Sequence, residues 1–276
     1  MLRAHIDASS RDETGLFAVS GYLIESGQSR RFRQQWRATF GDAPFSWADL
    51  VARSQQFEGI THPEKDALIK AGVGHVREHF IAGAVVSCWN QDVQRFSPRW
   101  IRGWGNAYSL CCHICATAIG HWAKQNNYKG GIAYILEAGD DYHSEAEHLL
   151  SYAAKVDVVR DAYQWRSHGF HQKDAGSPFH APDLLAWEWG KYWTETVVQK
   201  KRLIRLSLVH LLKDNLHRYK FQHLGGDPLL KFFNQIHELG VEQLQENEAA
   251  ASAVSPVDLT DAVESSEPKE PVGDPE

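Results

Sequence analysis

The hydrophobic pattern opens as a strand. In Leu2–Ser9 the residues Leu2, Ala4 and Ile6 face one way while Arg3, His5, Asp7 and Ser9 face the other, the period-two signature of extended chain. Ser9-Ser10-Arg11-Asp12-Glu13 reads as a turn. The run from Leu16 to Ile24 that follows is apolar on both faces, which predicts a central strand with a layer on either side. Glu25-Ser26-Gly27 ends that run, and Ser29 to Phe40 reads as an arginine-rich helix. The patterns then alternate: helix at 63–80, strand at Ala82–Trp89, helix at Ala107–Gln125, and strand at Ile132–Glu137, introduced by Lys129-Gly130-Gly131. A helix at about 144–157, a strand near Tyr163–His171, a helix opening near Ser177-Pro178, and shorter helices at about 201–213 and 227–239 follow. Two adjacent strands and then strands alternating with helices predict an α/β fold, a mixed sheet covered by helices.

Charge changes the picture at the C-terminus. The net charge of −6 divides into −9 over residues 242–276 and +3 over residues 1–241, with histidine neutral. The acidic segment is poor in aromatics and rich in Ala, Ser, Pro and Glu, so it buries too little apolar surface to offset its ordering entropy. It is expected to be a disordered tail on a single domain of residues 1–241, a solubilising extension or a contact for a basic protein partner. A mildly basic body tolerates a polyanionic ligand without the dense basic footprint of a dedicated DNA binder. No apolar run approaches the roughly 18 residues of a membrane span, and Met1–Asp7 is too charged for a signal peptide. A cytoplasmic protein without membrane association is the expectation. Cys88, Cys111, Cys112 and Cys115 form no disulfide framework for a chain of this length.

Three acids stand where a hard-metal site would need them. Asp7 lies at the C-terminal end of the first strand's polar side, Glu137 ends Ile132-Ala133-Tyr134-Ile135-Leu136-Glu137, and Asp183 sits in the first turn of the helix Pro182-Asp183-Leu184-Leu185-Ala186. Each alone has an ordinary reading, as a turn cap, a strand-end charge or a helix-start charge. Together they suit a magnesium site, because that ion takes oxygen ligands, keeps waters and needs only a few converging carboxylates. Two such ions about 4 Å apart serve in-line phosphoryl displacement.

These three segments resemble the motifs of the bacterial domain-of-unknown-function family numbered 3800, which is regarded as ribonuclease-H-like in fold. The family's opening strand ends in an Asp-Glu-Ser-Gly-like motif, a later strand ends in an acid, and a helix near the C-terminus carries Gln-x-Ala-Asp-Leu-x-Ala. This chain offers Ile6-Asp7-Ala8-Ser9-Ser10, Leu136-Glu137-Ala138-Gly139 and His180-Ala181-Pro182-Asp183-Leu184-Leu185-Ala186, and the likeness spans about residues 2–195. The resemblance implies a ribonuclease-H-like fold and cleavage of nucleic-acid phosphodiesters. Asp7, Glu137 and Asp183 would hold Mg²⁺ or Mn²⁺. Ala8 stands where the family has Glu, Ser10 where it has Gly, His180 where it has Gln and Pro182 where it has Ala. The loss of the Glu favours an alternative, a non-catalytic binding or regulatory protein on the same fold, in a phage-defence or toxin-like system. Asp140 or Asp141 could replace the missing ligand, although Gly139-Asp140-Asp141 is equally a turn signature.

Other residues extend the hypothesis. His171, and less directly His168, stands close enough in sequence to Asp183 to serve in proton transfer. Arg99, Trp100, Arg102 and Trp104, in a segment with little apolar periodicity, together with Arg166, are candidates for substrate contact through stacking and charge. Trp89, Trp165, Trp187, Trp189 and Trp193 suit either base stacking or a tryptophan-rich core. Cys111-Cys112-His113-x-Cys115 has the residue types of a zinc site. On a helix, however, Cys111 and Cys115 share a face while Cys112 points about 100° away from Cys111, so buried helix cysteines are expected. Neither a phosphate-binding glycine loop nor a Gly-x-Ser-x-Gly elbow is present.

Overall fold

A computed structural model describes residues 1–11, 14–43, 45–96, 106–138, 142–231 and 234. The expected acidic tail falls outside them, as do Asp140, Asp141 and the segment carrying Arg99, Trp100, Arg102 and Trp104. Among the described residues six strands form one sheet: β1 (Leu2–Arg11), β2 (Leu16–Glu25), β3 (Phe80–Trp89), β4 (Ile132–Glu137), β5 (Trp165–His171) and β6 (Tyr219–Leu224), in the order β5-β4-β1-β2-β3-β6. β2 is antiparallel to both β1 and β3, whereas β4 is parallel to β1, β5 to β4 and β6 to β3. This is the mixed sheet covered by helices that the sequence predicts, with β6 added at the β3 edge. Residues Met1–Leu230 form one compact unit.

The helices include α1 (Ser26–Phe40), α2 (Trp47–Ala52), α3 (His62–His79), α4 (Asn90–Phe96), α5 (Ala107–Gln125), α6 (His143–Lys155), α7 (Asp157–Tyr163), α8 (His180–Lys191) and α9 (Leu206–Leu212). Their starts are chemically marked. Thr61 and Glu64 form a reciprocal capping box on α3, Ser46 accepts from the Asp49 amide on α2, and Asn106 accepts from the Tyr108 and Ser109 amides on α5. β2 runs through the middle of the sheet, and every residue in it except Glu25 is buried, as its two-sided apolar pattern requires.

Alternation along the strands assigns the faces. The Tyr134 hydroxyl donates to the carbonyls of Ala116 in α5 and Tyr163 in α7, at 3.2 and 2.6 Å. Tyr134 therefore points to the α5 side, and Glu137, three residues on, points to the other. That other side carries the aromatic core, with Phe32, Trp36 and Phe40 of α1, Trp47 of α2, Val73 of α3, Leu184 and Leu185 of α8 and Leu208 of α9 packed on Tyr22, Ile24 and Val85. All four cysteines are free and buried, with the Cys88 and Cys111 sulfurs 3.4 Å apart. Where α5 crosses α7, a Cβ built on Gly120 would lie 2.1 Å from the Ala162 carbonyl oxygen and 2.8 Å from the Tyr163 carbonyl carbon. Backbone cannot swing aside as a side chain can. Gly120→Ala should therefore cost about 3 kcal/mol despite alanine's better helix propensity, a drop in Tm of about 6–12 °C for a chain of this size. An unchanged melting temperature would mean that the two helices are not in contact there.

Several boundaries differ from the sequence reading. Tyr163 ends α7, and β5 begins only at Trp165; helix α9 covers Leu206–Leu212 in place of the longer 201–213. α8 continues as a π-helical turn over Tyr192–Val198. No helix among the described residues is long and apolar enough to cross a membrane.

Candidate functional site

β1 and β4 are parallel, and Ile6 pairs with Leu136. The next residue of each, Asp7 and Glu137, therefore shares the face away from α5 at the same edge of the sheet. α8 crosses this face, fixed from below by the Ser20 hydroxyl donating to the Pro182 carbonyl at 2.6 Å and by the Trp47 indole N–H donating to the His180 carbonyl at 2.9 Å. Those two anchors set the first turn of α8 above β1, and Asp183 comes down beside Asp7.

The three acids meet on one atom. The Lys173 Nζ lies 2.9 Å from Asp7 Oδ2, 3.0 Å from Asp183 Oδ2 and 3.7 Å from Glu137 Oε2. Pairs of those oxygens can therefore be no more than about 6–7 Å apart, within the span of a shared-ion site. Lys173 comes from the loop joining β5 to α8, and that loop is tied down on both sides. Asp174 pairs with Arg33 of α1 and accepts from the Gly176 amide at 3.1 Å. The His180 ring, stacked on Trp36, donates from Nε2 to the Asp174 carbonyl at 3.0 Å.

The electrostatics are unbalanced. One ammonium faces three carboxylates at low exposure: Asp7 is 7% exposed, and the Lys173 side chain 19%. Burial pushes the Asp7 carboxyl from 3.8 up to about 6. Lys173 pulls it down, Glu137 pushes it up again, and the amide of Ala8, 2.8 Å from Oδ1, lowers it slightly. Asp183 is raised for the same leading reason, burial, with Lys173 opposing and Asp7 adding to it. Burial pulls the Lys173 amine down, but Asp183, Asp7 and Glu137 more than offset this, and it ends well above its ordinary 10.5. His5, two residues before Asp7 on the same face, is held down to about 3 by burial and by Arg3, His171 and Arg33, so it stays neutral and adds no positive charge.

The other candidates fall at varied distances from this point. His171 pairs in register with Glu137 and is exposed, at the same edge as the acids. His168 points to the opposite face, where its Nε2 lies 3.3 Å from Glu147 of α6, so it is removed from the acids by the thickness of the sheet. Arg166 is exposed beside Gly131 at the far end of β5, about 16 Å from His171 at ~3.3 Å per residue. It lies too far along the strand to share a phosphate with the acids. His113 is bonded through Nδ1 to the Tyr163 hydroxyl at 2.6 Å, a core contact.

Lys173 is the residue that sequence reasoning missed. A lysine in the loop Gln172-Lys173-Asp174 carries no periodic or spacing signal, and only the fold brings it to the acids. Among the described residues no three His, Cys, Asp or Glu side chains already form a metal cage; the carboxylates gather around the ammonium instead. The donor set still fits a hard divalent ion, because all the donors are oxygens and their charge exceeds what the lysine supplies. Neither a protein-family model nor a curated protein matches this sequence.

Proposed function

We propose that the chain is a Mg²⁺- or Mn²⁺-dependent hydrolase that cleaves nucleic-acid phosphodiester bonds, as its resemblance to the family numbered 3800 implies. The observation that supports this is the meeting of Asp7, Glu137 and Asp183 around one point at the sheet edge, from segments up to 176 positions apart. Those three residues would hold the metal, which when bound supplies activation of the attacking water and stabilisation of the leaving oxygen. Lys173 contributes a fixed positive charge against the phosphate, aimed by the Arg33–Asp174 pair. His171, exposed beside Glu137, is placed to accept or return a proton in the same cleft.

A second reading has its own observation. Lys173 already occupies the centre of the carboxylates, and Ala8 removes a ligand that the family motif supplies. A non-catalytic binding protein on the same fold would keep such a lysine as a permanent counter-charge.

Incubating the purified chain with single- and double-stranded DNA and RNA plus Mg²⁺ or Mn²⁺ separates the two. Metal-dependent cleavage that falls about a thousandfold in Asp7→Asn, a loss of about 4 kcal/mol in transition-state stabilisation, is expected of the hydrolase. Cleavage equal in both proteins, or absent with every substrate, rejects it in favour of the binding protein.

A further inference from the structure

The face of the sheet that carries the acids also carries a cluster of rings at the same edge. β3 runs parallel to β1, and Asp7, Ser20 and Val85 are aligned across β1, β2 and β3, so Val85, Ser87 and Trp89 point to the α8 side. The rings stand on a hydrogen-bonded base. The Trp189 indole N–H donates to the Ser87 hydroxyl, and that hydroxyl meets His223 Nδ1, both at 2.9 Å. Trp193 stacks on His223 at 3.7 Å, and Trp89 meets the same ring edge-on at 5.9 Å. Beside Trp89 lies a cavity of about 380 Å³ lined by Thr14, Trp89, Gln91, Thr194, Val198 and Gln199. A tryptophan ring with the carboxamides of Gln91 and Gln199 beside it suits a flat heteroaromatic ring with polar edges.

Two routes across the molecule give the distance from the acids. Through the sheet, Trp89 lies two strands across and four residues along from Asp7, about 16 Å by strand spacing and rise. Along the helix, Thr194 lies eleven residues after Asp183, again about 16 Å. At ~3.4 Å per stacked nucleotide this corresponds to roughly five nucleotides, and to fewer when the strand is extended. Lys200 and Lys201 follow Gln199 and are exposed, offering charge to a passing backbone.

We propose that this cavity receives an unpaired nucleobase stacked on Trp89, a few nucleotides from the phosphate held at the acids. The inference rests on the nucleic-acid reading above, and it makes single-stranded nucleic acid the preferred ligand. Paired bases stay in their own stack and cannot enter a cavity, whereas every unpaired base presents a ring face.

The test uses Asp7→Asn protein, which holds strand without cutting it, and a fluorescent oligo-dT of about 15 nucleotides, near the upper site size of single-strand grooves. Trp89→Ala in that background should weaken binding by about 5- to 150-fold, the loss of one base–ring stack. Trp89→Phe should recover most of it, and duplex affinity should not change. Val198→Trp, a substitution at an exposed rim position, fills the cavity without touching the core and should weaken binding similarly. Oligo-dT affinity indifferent to both Trp89→Ala and Val198→Trp overturns the proposal, as does equal loss for duplex or no binding by the parent. The wild-type cleavage assay stands apart. Binding through Trp89 without any cleavage retains the pocket and rejects the hydrolase, while cleavage unaffected by Trp89→Ala rejects only the pocket.

Discussion

Lys173→Met should lower the stability of the fold by about 3–5 kcal/mol at neutral pH, the usual cost of removing one partner from a buried ionic cluster. The ammonium is the group nearest to Asp7, Asp183 and Glu137 together, and methionine keeps the length of the side chain while deleting its charge. Two conditions should return much of the loss. Lowering the pH protonates Asp7 and Asp183, both already raised by burial, so the gap between mutant and parent narrows below about pH 6. Adding Mg²⁺ or Mn²⁺ supplies the missing positive charge and should raise the mutant's Tm by more than the parent's. The alkaline direction follows from the lysine itself. Its amine is raised in the fold, so its contribution is complete below 10.5 and is lost only as the pH climbs past its higher folded value. Thermal melts of both proteins from pH 4 to 8, with and without metal, check the prediction. Coincident melts at pH 7 without metal would show that the acids do not depend on Lys173.

Asp7→Asn should do the reverse to stability and, on the proposed hydrolase reading, lower cleavage about a thousandfold. Burial raises the Asp7 carboxyl from 3.8 to about 6, so the stability it contributes is full below 3.8 and is lost as pH rises through about 6. A shift of about 2 units corresponds to about 3 kcal/mol between those limits. Asparagine carries no charge and escapes that loss. The variant is therefore expected to be about 2–3 kcal/mol more stable than the parent at pH 7, or about 4–12 °C in Tm, and equal to it near pH 4. An inactive, more stable variant is the mark of a carboxylate kept ionised and buried for a purpose other than folding. A variant that melts earlier than the parent at pH 7 would instead show that the ion pair with Lys173 outweighs the cost of burying the Asp7 carboxylate.

The parts of this molecule that were legible in the sequence are those with strong periodicity. The two-sided apolar run of β2, the alternation of β1 and the capped amphipathic patterns of α3 and α5 each announce an element, and with them the mixed sheet. β6 was not foreseen. Its residues Tyr219–Leu224 are only six, follow a poorly patterned stretch and gain strand character from pairing with β3. The tertiary partner decided it. The three acids could be named in advance because they lie at ends of recognisable elements. Their common cation could not, since Lys173 belongs to a loop whose position is set by Arg33, far away in the chain. The histidines were equivocal for a related reason. His168 and His171 are three apart on one strand, and only the phase of the pleat assigns one to the acids and the other to Glu147.

Asp7 is on the first strand, and Asp183 is on a helix seated only once the sheet and α1 exist to hold it. The carboxylates consequently cannot meet in a growing or truncated chain. Until about residue 190 has joined the rest, Asp7 has no anionic neighbour from α8 and no lysine beside it. Assembly of the acidic centre therefore waits on long-range closure of the chain, and any ligand it takes is met only after α8 has seated on the sheet.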